Sequence, residues 1–172
     1  YMLSDYFADP FHPDVYVETD FMEKNPNKLF DLDHVIHEES QQMLIERVSE
    51  YGISAYFDDG WPDGPINGGG EYLEFVPVID EIVGGHMARW YKHNFPDERK
   101  GIFRYILGVH GGPFNHPSKG NVYDTITIGF TDTPKQRIKQ WINTGFQIGL
   151  FKRNINLMNA QTMLHELGHS IG

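Results

Sequence analysis

From Val15 to Met22, apolar and polar residues alternate with the period of two that a half-buried strand requires. Val, Tyr, Thr and Phe are also the side chains that a pleated surface accommodates. This segment predicts the first strand. Glu18 and Asp20 fall on one of its faces, which the alternation assigns to solvent; cation binding is the other use of two carboxylates so placed. Asn25-Pro26-Asn27 marks a turn. Beyond it, Val35, Ile36, Met43, Leu44, Val48 and Tyr51 predict a long helix capped by Asp31 or Asp33 and ended by Gly52. Ile53 to Phe57 predicts a second strand. Val78 to Asn94 predicts a second helix with Ile79, Ile82, Val83, Met87, Trp90 and Tyr91 on its buried side, interrupted at Gly84-Gly85. Gly101 to His110 is nearly continuous in apolar residues, the mark of a strand covered on both faces, and takes a central place. Asp124 to Phe130 alternates again and is placed near an edge. Thr133-Pro134 opens a polar helix reaching Trp141-Ile142. In the last helix Asn159 is the expected N-cap and Met163, Leu164, Leu167 and Ile171 form the apolar stripe. The expected fold is therefore α+β: a twisted, mixed sheet of four to five strands, packed on the long first helix and the last one.

Composition narrows the chemistry more than the fold. The 172 residues fit one domain able to bury a core unaided, and the absence of cysteine removes thiol catalysis, Cys-ligated zinc and disulfides together. A net charge of −10 argues against a nucleic-acid partner and against an anionic membrane surface. No apolar run is long enough to predict a membrane span, and Tyr1-Met2-Leu3-Ser4-Asp5 lacks the basic and apolar regions of a signal peptide, as expected if numbering begins after a removed segment. Oligomeric state is not encoded in any of these features. Asp58, Asp59 and Asp63 are a possible ligand set for structural Ca²⁺, but EF-hand spacing is absent and Asx-turn chemistry is the expected role. Gly68-Gly69-Gly70 lacks the lysine of a phosphate-binding loop and reads as a tight or flexible turn. His34 and His37 are expected on the surface of the first helix, and His86 and His93 as structural residues of the second.

The last dozen residues carry the sharpest signal. His165-Glu166-Leu167-Gly168-His169 is His-Glu-x-x-His, which a shuffled chain of this composition yields about 0.03 times by chance. On a helix, residues four apart share a face, so His165 and His169 reach one cation while Glu166 reaches a water beside it. A catalytic zinc takes three protein ligands, and the third is not identified here. Three readings stay open: the natural protein continues past Gly172 and supplies it; His110 or His116 supplies it from the loop after the central strand; or two imidazoles bind metal weakly in an inactive site.

The order of elements and the eight residues His165-Glu166-Leu167-Gly168-His169-Ser170-Ile171-Gly172 resemble the N-terminal half of a metzincin-type zinc metallopeptidase, in particular secreted bacterial and archaeal members. The resemblance implies a metzincin-like upper subdomain, with residues 1–172 a single catalytic domain lacking its C-terminal subdomain. It implies His165 and His169 as zinc ligands, Glu166 as general base, a peptide or protein substrate, and a secreted location. The family's third ligand and Met-turn have no matching residues in this chain. The expected function is a zinc-dependent endopeptidase, and the alternative is a noncatalytic or autoinhibited metal-binding domain with an incomplete site. A peptide substrate is expected to add as a strand along the edge near Thr125 to Phe130.

Overall fold

The computed structural model describes residues 7–27, 34–60, 68–77, 85–109, 118–122, 125–129, 156–157, 159–165 and 167–168. Six strands share one mixed sheet: β1 (Asp14–Met22), β2 (Ser54–Asp58), β3 (Tyr72–Leu73), β4 (Phe103–Val109), β5 (Ser118–Val122) and β6 (Thr125–Gly129). Their order is β2-β1-β4-β6-β5, with β3 also pairing β1. Every pairing is parallel except that of β5 with β6. Helix α1 (Glu38–Ser49) joins β1 to its parallel neighbour β2, the crossover that parallel strands demand. Helix α2 (His86–His93) and the 3₁₀ turn Asp97–Arg99 precede β4.

β1 and β4 have buried side chains on both faces, so each strand serves two cores. Val17 and Phe21 of β1 and Ile106 of β4 pack with Leu44 and Val48 of α1, Ala55 and Phe57 of β2, and Met163 and Leu167 of the motif helix. Tyr16 and Met22, with Phe103, Tyr105, Leu107 and Val109, pack on the opposite face against Leu73, Val76, Trp90 and Phe95. The register pairs Tyr16 with Phe103 and Glu18 with Tyr105, so Glu18 and Asp20 belong to this second face. α1 ends on Gly52 at φ +71, where the Tyr51, Gly52 and Ile53 amides close onto the Val48 and Ser49 carbonyls.

Several expectations are corrected. Among the described residues the main path of the sheet has five strands, within the expected number, and the two-residue β3 adds a sixth off that path; β3 and the polar β5, Ser-Lys-Gly-Asn-Val, lack the alternation by which strands are read. β6 lies between β4 and β5, so among the described residues β5, not the segment from Thr125, forms that edge of the sheet. The first helix begins at Glu38 with His37 before it, and Val35 and Ile36 are buried in non-helical chain. Asp31 and Asp33 lie outside the described residues. His34 is not on a helix surface: it is buried with Nδ1 2.9 Å from the Met22 carbonyl oxygen. The second helix is described from His86, with Gly85 as its N-cap residue. Positions 156 and 157 are already helical, so Asn159 is not the N-cap of the last helix. The polar helix expected from Thr133 lies outside the described residues. No described helix is long and apolar enough to cross a membrane.

Candidate functional site

The motif helix is seated by its apolar stripe. Asn156, Asn159, Ala160, Met163 and Leu167 are buried, a spacing of three and four that defines one helix face. At 100° per residue His165 falls opposite that stripe, and it is exposed. The start of the helix is tied to α1: Ser40 Oγ donates to Asn156 Oδ1 at 3.3 Å, and Asn156 Nδ2 donates to Glu39 Oε2. The helix therefore sits against the α1 face of the sheet and holds His165 away from it. Glu166 and His169 lie outside the described residues, as do His110, His116 and Asp63.

A second group of polar side chains lies on the other face of the sheet. Glu18, Asp20 and Asp58 are each 0 % exposed, which overturns the solvated face expected for the first two. Alternation normally means one wet face, but β1 is an interior strand flanked by β4 on one side and by β2 and β3 on the other. Arg99 Nη1 meets Glu18 Oε2 and Asp58 Oδ2, with the guanidinium 4.8 Å from the Phe103 ring centroid. Asp58 Oδ1 accepts the amides of Gly68 and Gly69, each at 2.7 Å. Asp20 Oδ1 accepts the Glu71 amide at 3.0 Å, and Tyr105 donates its hydroxyl to Asp20 Oδ2. Asp58 thus acts across ten residues of chain rather than as a local turn residue.

The glycines make this arrangement possible. The amide of Gly70 donates to the Thr19 carbonyl at 2.8 Å, and that of Phe21 to the Glu71 carbonyl at 3.0 Å. The segment thereby lies beside β1 just where β2 ends. A methyl on Gly69 would overlap the Asp58 carbonyl, and one on Gly70 would overlap that of Asp59. The triple glycine is a close backbone crossing rather than a flexible turn.

Burial governs the protonation of this group. It raises the Glu18 carboxyl to about 7, against the opposing pull of Arg99. Burial first, then the neighbouring Glu71 carboxyl, raises Asp20 to about 8. Tyr105 is pushed up by burial and by Asp20. Burial disfavours the charge on Arg99, but Glu18 and Asp58 outweigh it and the guanidinium is held more firmly protonated.

Glu18, Asp20 and Glu71 each offer a carboxylate oxygen, all within 4.8 Å of one another. Glu18 and Asp20 come from a pattern visible in the sequence. Glu71 follows the glycines, a weak pointer, whereas Arg99 in Pro-Asp-Glu-Arg-Lys has no local signal of burial at all. Among the described residues His165 is not part of any such group. Comparison with protein-family models, with curated proteins and with solved structures gave no match.

Proposed function

We propose that the chain belongs to a zinc-dependent endopeptidase in which His165 and His169 hold the metal and Glu166 is the general base. The reading rests on the sequence His165-Glu166-Leu167-Gly168-His169 and is supported by one observation: the described part of the motif is helical, with Met163 and Leu167 buried and His165 on the opposite, exposed side. That is where an imidazole must stand to meet a metal and a substrate arriving from solvent. The chemistry a zinc ion would supply there is a lowered pKa for bound water and polarisation of a scissile carbonyl. Glu166 receives the proton of the attacking water and delivers it to the leaving amine nitrogen as the C–N bond breaks. The free edge of β5 is the described strand edge along which an extended peptide can add through main-chain hydrogen bonds.

The rival reading, a noncatalytic or autoinhibited metal-binding domain, rests on the sequence, in which no third ligand is identified beside His165 and His169. One experiment separates them. Zinc stoichiometry and cleavage of unstructured peptides are measured for the wild type and for Glu166→Ala. The peptidase reading expects zinc retained in both and a rate about 10²–10⁴-fold lower in the variant. Peptide cleavage that survives the substitution overturns the assigned base; zinc binding without any cleavage by the wild type supports the rival.

A further inference from the structure

We propose that Glu18, Asp20 and Glu71 bind a calcium ion at the point where β2 leaves the edge of β1 and β3 takes it over. Their oxygens lie within 4.8 Å of one another, inside the span of about 5 Å available to two ligands at ordinary Ca–O distances. A second observation points to a ligand. Glu18 is 0 % exposed, Arg99 takes its Oε2, and Oε1 is sealed from solvent without a hydrogen-bond partner among the described residues. A buried carboxylate oxygen left bare is strongly unfavourable, and a cation relieves it.

The charge balance points the same way. Arg99 sits between Glu18 and Asp58, so one positive charge already serves two carboxylates. Asp20 adds a third carboxyl group and Glu71 a fourth; a phenol and an amide donate to Asp20, and its carboxyl also hydrogen-bonds that of Glu71 through a proton that a cation would displace. A divalent ion is the natural complement. The donors are all hard oxygens with no imidazole or thiolate among them, which favours calcium over zinc. The exposed side of Glu71 gives the ion a way in from solvent.

The bound ion ties the glycine segment to β1 through side chains as well as backbone. It is a site distinct from the motif helix, because Glu18 and Asp20 face the Tyr105 core while Met163 and Leu167 lie in the opposite one.

The test is thermal unfolding of the full chain in EDTA and then in excess CaCl₂ or MgCl₂, with calorimetric titration of CaCl₂. Calcium at a hundredfold excess over its Kd is expected to raise the melting temperature by about 5–10 °C. Glu71 is exposed, so Glu71→Gln should melt in EDTA like the wild type while its calcium affinity falls at least tenfold. Asp20→Asn should lose the response without losing the fold, and His165→Ala should keep it in full. A wild-type melting temperature indifferent to calcium would mean that Asp20 and Glu71 are bridged by a proton only, and would overturn the site. So would an undiminished response in Glu71→Gln. Equal responses to magnesium and calcium would overturn the choice of ion.

Discussion

Because Arg99 meets Glu18 and Asp58 with all three side chains buried, replacing it strands two carboxylates in a low-dielectric interior. Removing one partner from a buried ion pair costs about 3–5 kcal/mol, far more than the pair is worth relative to apolar residues. Arg99→Met is expected to lose that much, read as a lower urea midpoint at unchanged slope. The same burial fixes a pH dependence. With divalent ions chelated, the Asp20 carboxyl is raised to about 8 from its ordinary 3.8, so the folded chain keeps a proton that the unfolded chain releases. Its contribution is fully present below the ordinary value and is lost as pH rises toward the folded one. The melting temperature of the wild type should therefore fall relative to that of Asp20→Asn between about pH 5 and pH 8. A constant difference across that range would remove the assignment. Legibility at this scale was uneven: alternation placed Glu18 and Asp20 on one face, but their burial depends on β3 returning to the edge that β2 vacates, which no local pattern records.

At the scale of elements, the strands legible in the sequence are those whose apolar residues carry the pattern, β1, β2, β4 and β6. β5 is made by its ladder to β6 rather than by its own residues, and the start of α1 was misplaced because Val35 and Ile36 are buried without being helical. The motif helix is legible because its apolar stripe and its His-Glu-x-x-His spacing lie on the same few residues. Its seating is a matter of packing: Met163 is 0 % exposed among Phe21, Leu44 and Ile106. Met163→Ala removes that anchor and should cost about 2–5 kcal/mol. Under the zinc reading it should also weaken zinc binding, since a loosened helix holds its ligands less well placed, and competition with a chromophoric chelator measures this. Stability lost with zinc affinity unchanged would show that the seating does not serve the site. Asn156→Ala, which deletes both links to α1, offers an independent check, expected to cost about 2–4 kcal/mol.

Across the whole molecule, the sheet separates two chemistries. On one face, α1 and the motif helix bury Val17, Phe21 and Ile106 and hold His165 outward; on the other, Glu18 and Asp58 meet Arg99 and Asp20 meets Tyr105 and the Glu71 amide. Neighbouring residues of β1 point to opposite faces, so the side chains of the two regions do not mix even though both rest on one strand. The packed residues of β1 lie between the two regions, so coupling through the sheet would require the strand itself to shift. The expectation is thermodynamic independence. In a cycle of His165→Ala, Glu71→Gln and the double variant, zinc and calcium should each raise stability through one site, and the two contributions should add within about 0.5 kcal/mol. His165→Ala should abolish the zinc response and leave calcium untouched, and Glu71→Gln should do the reverse. A larger coupling would mean that calcium reaches the motif helix through β1, giving the buried carboxylates a regulatory role toward the His165 site rather than a purely structural one.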